Sequence, residues 1–429
     1  MLKASSLDPA KLTPRAREYA FPEMPQALIE TNQRLAPVAR ERWPFDPQHL
    51  LNAARERTGL DDFGGDEYRE ALDVLCQSAE QDLDLNAVGR RNLYGQMLDH
   101  LTQRLRFVDL WKRKPEILDE KIDRPLFIIG LPRSGTTFLQ QLLACDDDMR
   151  VTPFWEELNP LPDHDAAIRP PDDAVLIERA AKNIDGLRQY APGLLQMHQL
   201  VVDQPEEEIY LLGPAFASMV YEWVYILPTF AAWYAKQDFT EGYRFFKKVL
   251  QTLQWMRGGT RWLLKAPQHM EQIKPLMTVF PDGLFIETLR DPVTAAVSNA
   301  SLSGYGQRIR SDHPNPHAAG HSNMIIIERL VTRLLQDHPD NDPRFVMIPF
   351  ASLMKEPLAA AQQVYAAAGL TLSDATRARM QEYVDNNQKN RHGTNEYAPE
   401  DFDIDVGKLR SRIAGYYERF GVAPDPKFR

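Results

Sequence analysis

The sequence predicts an α/β fold, with a parallel β-sheet flanked by helices and a helical N-terminal region before it. Four short apolar runs at residues 126–129, 262–264, 284–289 and 345–348 are typical of strands buried on both faces. The segments between them have helical spacing, which is the pattern of a sheet with crossover helices. Ligands of such sheets bind at the C-terminal ends of the strands, so polar residues directly after these runs are the first candidates for a site.

The composition is that of a globular chain without a nucleic-acid-binding surface. Its 429 residues carry a formal net charge of −10 and are 43% hydrophobic, enough for a sizeable core but without the basic excess that nucleic acid requires. Two cysteines, Cys76 and Cys145, are too few for a disulfide framework, so we expect buried thiols in a cytoplasmic protein. The first residues also lack the apolar core of a signal peptide.

Helical spacing dominates the N-terminal part of the chain. From residue 47 to about residue 113, apolar residues recur every three or four positions. The clearest face consists of Leu93, Met97, Leu101, Leu105 and Val108. We therefore expect residues 1–120 to form a helical scaffold or lid, and residues 121–429 to form the domain that contains the sheet.

The first predicted strand opens the most informative stretch of the chain. Gly130 to Gly135 form a turn rich in small residues, and apolar residues then recur with helical spacing. A strand, a tight loop and a helix N-terminus together form a cradle for an anion. The P-loop template G-x-x-x-x-G-K-[ST] fits at Gly130, Gly135 and Thr137, but Thr136 replaces the lysine that reaches a triphosphate. Arg133 supplies a cation instead, which favours a shorter anion.

Residues 132–137, Pro-Arg-Ser-Gly-Thr-Thr, resemble the loop that binds the 5′-phosphosulfate in sulfotransferases using 3′-phosphoadenosine 5′-phosphosulfate (PAPS). The form with arginine is similar to that of tyrosylprotein sulfotransferases and of a large group of bacterial sulfotransferases. The resemblance implies a P-loop-type core, PAPS as co-substrate, and turnover without a metal. It also implies a catalytic role for Arg133 and a set of donor-binding residues: Arg133, Ser134, Gly135, Thr136 and Thr137.

A second anion-binding element follows the apolar run that ends at residue 289. Arg290 stands at the strand end, Pro292 suits the first position of a helix, and Ser298 lies six residues along, about 9 Å up the axis. This spacing is similar to that of the arginine and serine that bind the 3′-phosphate in sulfotransferases. Asp291 admits another interpretation, a carboxylate that holds Mg²⁺ in a P-loop nucleotide kinase or NTPase. The missing P-loop lysine argues against it.

The residues expected to act on the transferring group follow two other strands. Lys265 lies in a Lys-x-Pro context that resembles the lysine segment of tyrosylprotein sulfotransferases, where it would stabilise developing charge. Glu156, after an extended segment at 149–154, occupies a position similar to the glutamate base of those enzymes, although the register between Glu156 and Glu157 is open. His269 is the rival base, because cytosolic sulfotransferases use a histidine shortly after a lysine at this strand end.

The residues from 211 to 255 hold much of the chain's aromatic content. Glu222 is the single charge between 211 and 235, and with two prolines it argues against a membrane span, so we expect buried interior. As part of an aromatic-rich helical segment at about 163–260, the stretch also fits a pocket for a small-molecule hydroxyl acceptor: an apolar alcohol, sterol, lipid or phenol. The alternative interpretation of this stretch is ordinary hydrophobic core without a ligand. For the whole chain, an alternative to an enzyme is a non-catalytic nucleotide-binding protein.

Two late segments complete the candidates. Histidines stand at positions 313, 317 and 321, but two prolines and a glycine among them are expected to prevent the helix that would align three metal ligands. Residues 303–321 are therefore predicted to form a mobile loop near the active site, without a metal. Residues 389–393, Lys-Asn-Arg-His-Gly, resemble the Arg-Lys-Gly segment that closes on the 3′-phosphate in cytosolic sulfotransferases.

Overall fold

A computed structural model describes residues 7–163, 165–169, 171–387 and 397–428. Its strands are β1 (Leu126–Gly130), β2 (Met149–Arg150), β3 (Arg261–Lys265), β4 (Leu284–Leu289) and β5 (Phe345–Pro349). They form one sheet with the order β2-β3-β1-β4-β5, and every neighbouring pair is parallel. The predicted parallel sheet is confirmed, with β1 at its centre.

Six helices precede the sheet within the described part of the chain. They are α1 (Pro14–Ala20), α2 (Gln26–Leu35), α3 (Ala39–Arg42), α4 (Pro47–Thr58), α5 (Arg69–Asp82) and α6 (Ala87–Arg113). The predicted helical region from residue 47 to residue 113 is confirmed. The longest of these helices, α6, begins where the Asn86 side chain accepts a hydrogen bond from the Gly89 N–H at 2.8 Å.

The remaining helices connect the strands, cover the sheet and form the C-terminal part of the chain. They are α7 (Thr136–Leu143), α8 (Phe154–Leu158), α9 (Ala174–Tyr190), α10 (Leu194–Met197), α11 (Val220–Val224), α12 (Pro228–Tyr234), α13 (Thr240–Arg257), α14 (Ile273–Val279), α15 (Pro292–Arg310), α16 (Pro316–Asp337), α17 (Phe350–Lys355), α18 (Pro357–Ala368), α19 (Asp374–Asn386), α20 (Val406–Arg412) and α21 (Ala414–Phe420).

The central strand alternates its side chains between two cores. Phe127 and Ile129 lie in the larger core, which also contains the buried face of α6 and most of the aromatic residues. Leu126 and Ile128 lie in the smaller core, together with residues of α7 and α18. The N-terminal helices therefore share a core with the sheet. The division at residue 120 stays a prediction about folding units.

The stretch from 211 to 255 is largely interior, as expected. The rings of Phe216, Tyr221, Phe230 and Tyr243 are buried in the larger core. Glu222 is buried as well, and both of its carboxylate oxygens accept hydrogen bonds from Arg329. No helix in the described ranges combines the length and apolar character that spanning a membrane requires.

The predicted loop at 303–321 is wrong. Residues up to Arg310 continue α15, and α16 begins at Pro316, so that only residues 311–315 connect two helices. Pro316 opens α16 because a first-turn proline needs no intrahelical acceptor, and the Asn315 side chain caps the helix by accepting from the Ala318 N–H at 3.0 Å. Gly320 stays helical at a close approach, since a Cβ there would lie 1.9 Å from the Phe402 carbonyl oxygen.

Candidate active site

A cavity of about 1150 Å³ opens beyond the C-terminal ends of β1 and β4. Three helices each turn one face toward it. Helix α6 contributes Arg91, Asn92, Gly95, Gln96, Asp99, His100 and Gln103. Helix α9 contributes Lys182, Asn183, Gly186, Leu187 and Tyr190. Helix α15 contributes Ser298, Asn299, Leu302, Ser303, Gly306, Ile309 and Arg310. All three sets recur every three or four residues, so each is one continuous helix face.

The loop after β1 is held in a fixed, partly left-handed shape. Gly130 has a positive φ of 157°, and a Cβ there would lie 2.2 Å from the Thr288 hydroxyl oxygen, so only glycine fits. Arg133 adopts a left-handed φ of 65°. The Ser134 hydroxyl donates to the Leu131 carbonyl at 2.5 Å and lies 2.6 Å from the Thr288 hydroxyl. The side chain of Ser134 therefore fastens the loop to β4 and does not line the cavity.

Arg133, Arg290 and Ser298 come together at one end of the cavity, and all three line it. The Arg133 Nε donates to the Ser298 Oγ at 3.2 Å, and the Arg290 guanidinium donates to the Arg133 carbonyl oxygen. The Arg290 guanidinium also stacks on the Phe350 ring at 4.1 Å from its centroid. Residues that are far apart in sequence thus form one cationic cluster next to the loop.

The first turn of α7 completes the cradle. Gly135 caps this helix with a φ of 91°, and Thr136 and Thr137 are its first residues. All three line the cavity. Because the first N–H groups of a helix have no intrahelical acceptor, this turn presents donors toward an anion. The arrangement can hold two separate anionic groups, one at the loop and one between Arg290 and Ser298.

Lys265 lies one layer beneath the cavity wall. Its ammonium group is fully buried, 2.8 Å from a Glu207 carboxylate oxygen and 3.4 Å from the Thr137 hydroxyl. Burial alone would lower the pKa of Lys265, but the Glu207 and Glu206 carboxylates outweigh it and the pKa is raised above its usual value. Lys265 is therefore a permanent cation directly under the first turn of α7.

Sequence reasoning missed a run of three glutamates at positions 206–208. Glu206 and Glu207 line the cavity, whereas Glu208 is completely buried and accepts from the Lys265 backbone N–H at 2.7 Å. Three consecutive glutamates after Pro205, at the edge of an apolar stretch, were the available signal. Buried carboxylates require partners, so such a run predicts nearby cations.

Neither expected base has a side chain in the cavity. Glu156 is fully buried and forms ion pairs with Arg150 at 2.6 Å and Arg257 at 3.1 Å. His269 is also fully buried, between the Glu208 carboxylate at 2.5 Å and the Tyr243 hydroxyl at 2.8 Å. The geometry gives no support to Glu156 or His269 as a base, because existing partners hold both side chains outside the lining.

Glu157 is the alternative to Glu156 as the glutamate base, and its side chain lines the cavity. Its carboxyl group is buried, and it forms no ion pair with any described residue. Burial raises the pKa of Glu157 well above its ordinary value, and the nearby Glu208 carboxylate adds to the shift. Such a carboxyl group keeps its proton to a higher pH than an ordinary glutamate does.

His198 is another titratable group in the cavity wall, and no sequence motif pointed to it. Its Nε2 lies 3.5 Å from a Glu206 carboxylate oxygen. Burial opposes the protonated ring, but the Glu206 carboxylate outweighs burial and the pKa of His198 is raised. The preceding residue, Met197, accepts a hydrogen bond from the Arg133 guanidinium at 3.3 Å. The His198 segment therefore touches the anion-binding loop.

The three histidines at positions 313, 317 and 321 do not line the cavity. The His313 side chain pairs with Asp84 at 2.9 Å, and His321 pairs with Asp403 at 3.0 Å. No group of three or more metal-ligating side chains occurs in the part of the chain that the structure describes. The segment at 389–393 lies outside the described residues.

Comparison with known proteins identifies the family. A sequence model of the sulfotransferase family matches residues 125–374, more than half of the chain. The chain belongs to the sulfotransferase family. The match contains both anion-binding elements, Lys265 and the run of glutamates. No curated protein sequence matches the chain.

Solved sulfotransferase structures agree with this assignment. Sulfotransferase STF1 from Mycobacterium tuberculosis superposes with a TM-score of 0.72 at 28% identity, over 86% of this chain and 98% of that one. Sulfotransferase STF9 from Mycobacterium avium gives a TM-score of 0.78 at 25% identity, over 89% of this chain and 98% of that one. The protein is thus a transferase enzyme with the sulfotransferase fold, and the kinase or NTPase alternative loses its support.

Proposed function

We propose that this sulfotransferase uses PAPS as donor and transfers the sulfuryl group to the hydroxyl of an apolar small molecule. The observation that carries the proposal is the position of the Arg133, Arg290 and Ser298 cluster. It stands at one end of a cavity whose other walls include one face each of helices α6, α9 and α15. A donor with two anionic groups fits that end, and an acceptor has room beside it.

The donor-binding roles follow from the two anion sites. The first turn of α7 with Arg133 would hold the 5′-phosphosulfate, and Arg290 with Ser298 would hold the 3′-phosphate. When bound, PAPS supplies an activated sulfuryl group on a phosphate leaving group. The fully buried Lys265, within 3.4 Å of the Thr137 hydroxyl, would compensate the negative charge that the leaving phosphate gains.

Glu157 is the base in this proposal. Its carboxylate would take the proton from the acceptor hydroxyl as the acceptor oxygen bonds to sulfur and the bond between sulfur and the phosphate oxygen breaks. Burial raises the pKa of Glu157, so its carboxylate binds a proton more strongly than an ordinary glutamate and is the stronger base. The lack of an ion pair to Glu157 among the described residues leaves the carboxylate available.

The acceptor is proposed to be apolar because of the wall opposite the donor end. The 211–255 stretch contributes three residues to the cavity lining, Trp223, Val224 and Tyr225. Helix α15 adds the apolar side chains of Leu302 and Ile309. Pockets for apolar ligands are lined in this way, with few polar groups.

Two cysteines that both remain unpaired, Cys76 and Cys145, support a reducing and therefore cytoplasmic compartment.

The proposed 3′-phosphate site is tested by titrating the protein with 3′-phosphoadenosine 5′-phosphate (PAP) and with ADP in a calorimeter. We expect much tighter binding of PAP. Loss of a charge-assisted contact typically costs ~1.5–3 kcal/mol, so Arg290→Ala should weaken PAP binding about 10- to 100-fold and leave ADP binding nearly unchanged. Arg188→Ala, which removes an exposed arginine paired with Asp185, is the control. Equal affinities for PAP and ADP in the unaltered protein would contradict the proposal.

A further inference from the structure

One face of α15 runs the length of the cavity and connects its two ends. Ser298 lies at the donor end, and Arg310 is the last residue of the helix. Twelve residues separate them, which corresponds to about 18 Å along the helix axis. Leu302, Gly306 and Ile309 line the space between, together with the polar side chains of Asn299 and Ser303.

A second cationic group stands at the far end of this face. The Arg310 guanidinium donates to the Gly306 carbonyl oxygen at 2.7 Å and lies over the Tyr225 ring at 5.3 Å from its centroid. Arg91 of α6 reaches the Asn92 side-chain oxygen at 3.3 Å. Both guanidinium groups line the cavity, and neither forms an ion pair within the described ranges.

The other charges in the outer wall are already neutralised. Asp99 pairs with Arg57 at 2.6 Å, and Lys182 pairs with Glu178 at 2.6 Å. Away from the donor end with Arg133 and Arg290, a ligand that fills the cavity would therefore meet uncompensated positive charge at the Arg310 end. An unpaired cation that loses its water costs free energy, whereas a carboxylate gives a guanidinium a bidentate partner.

The backbone fixes this end of the cavity. The Arg310 carbonyl oxygen accepts from the Asn86 N–H at 2.9 Å, directly before α6 begins. Gly89 packs against the same residue so closely that a Cβ there would lie 2.3 Å from the Arg310 carbonyl oxygen. Because Arg91 follows two residues later, the start of α6 and the end of α15 hold both arginines in one region.

Building on the proposed function, we infer that the acceptor is an anionic amphiphile. Its hydroxyl lies at the donor end beside Glu157, its apolar chain runs along α15, and a carboxylate at its other end pairs with Arg310 and Arg91. The substrate class is that of long-chain hydroxy acids. A neutral alcohol of the same length fills the same apolar space and leaves the two arginines without a partner.

The inference is tested by binding two matched probes, 12-hydroxydodecanoate and 1,12-dodecanediol, to the PAP-loaded protein by calorimetry. We expect the hydroxy acid to bind at least about 10-fold more tightly than the diol, the effect typical of a charge-assisted contact. Arg310→Met should remove most of this preference, and Arg310→Lys should restore part of it. Arg308→Met removes a neighbouring cation that does not line the cavity, so this control should keep the full preference.

Equal affinities for the two probes in the unaltered protein would overturn the inference, as would a preference that survives Arg310→Met combined with Arg91→Met. Thermal melts of every variant separate loss of the site from loss of the fold. Failure of the protein to bind PAP would instead count against the proposed donor. The comparison of acid and diol in the absence of PAP would then still report on the Arg310 end of the cavity.

Discussion

At the scale of single residues, the adjacent glutamates 156 and 157 have opposite surroundings. Glu156 is held by two arginines, whereas Glu157 faces the cavity without an ion pair among the described residues. We expect Glu157→Gln to lower the rate of sulfuryl transfer by ~10²–10⁴, the usual contribution of a positioned base, with PAP binding unchanged. Single-turnover kinetics and calorimetry measure the two effects separately.

The pH profile gives an independent check on this base. A base acts when deprotonated, so the rate of the unaltered enzyme should rise with pH through the raised pKa of Glu157. Glu157→Gln should remove that rise. His198→Gln is the matched comparison, because His198 also lines the cavity and its pKa is also raised. An inactive His198→Gln enzyme beside an active Glu157→Gln enzyme would reverse the assignment.

The sequence left the choice between Glu156 and Glu157 open for a physical reason. Helix α8 begins at Phe154, and neighbouring residues of a helix point about 100° apart, so the two glutamates meet different surroundings although both are buried. The sequence shows where the carboxylates are but not how the short helix is rotated against Arg150 and Arg257. Arg290 and Ser298 were easier to predict, because a strand end and a proline-opened helix fix their relative positions.

At the scale of elements, the cavity depends on helix faces that carry glycine. Gly95 of α6 and Gly186 of α9 both line the cavity, and a Cβ at either position would meet no atom within 4 Å. Glycine inside a helix costs up to about 1 kcal/mol relative to a good helix former, so Gly95→Leu should raise the stability of the protein by an amount of that order. The new side chain would occupy acceptor space.

We therefore expect Gly95→Leu to raise the melting temperature and to raise the KM for the acceptor about 10-fold or more, the scale of steric exclusion from an apolar pocket. The affinity for PAP should not change. Gly407→Leu is the control, because Gly407 lies exposed in α20 away from the cavity and should give the stability gain alone. An unchanged acceptor KM in Gly95→Leu would remove α6 from the acceptor wall.

The elements themselves were predictable where burial on both faces leaves a continuous apolar run. The three strands β1, β3 and β4 follow such runs almost residue by residue. The start of α16 was missed because proline was taken as a helix breaker, although Pro316 occupies the first turn, where proline is favoured. The part that α6 plays in the cavity was not predictable, since its apolar pattern reports only the face that packs on the core.

At the scale of the whole molecule, one buried ion cluster ties together segments that are distant in sequence. Arg329 of α16 pairs with Glu222 of α11 and, at 2.6 Å, with Glu271 after β3. All three side chains are almost fully buried, with exposures of 8%, 1% and 2%. Removing one partner from such a cluster leaves buried charge uncompensated.

We expect Arg329→Met to lower the free energy of unfolding by ~3–5 kcal/mol, measured by urea denaturation. The exposed pair of Arg188 and Asp185 supplies the comparison, and Arg188→Met should change stability by less than about 1 kcal/mol. If Arg329→Met also lowers the free energy of unfolding by less than about 1 kcal/mol, the prediction fails. Glu222 and Glu271 would then become neutral or reach water without a loss of stability.

The largest-scale prediction concerns the boundary at residue 120. The buried face of α6 lies in the same core as Phe127 and Ile129 of the central strand, and its opposite face forms a wall of the cavity. A fragment of residues 121–429 would expose that core and lack the wall, so we expect it to unfold without a cooperative transition and to bind no acceptor. Co-expression with residues 1–120 should restore both properties, because the missing surface is supplied in trans. If the fragment alone unfolds cooperatively and binds PAP like the full chain, the N-terminal helices are a separate folding unit.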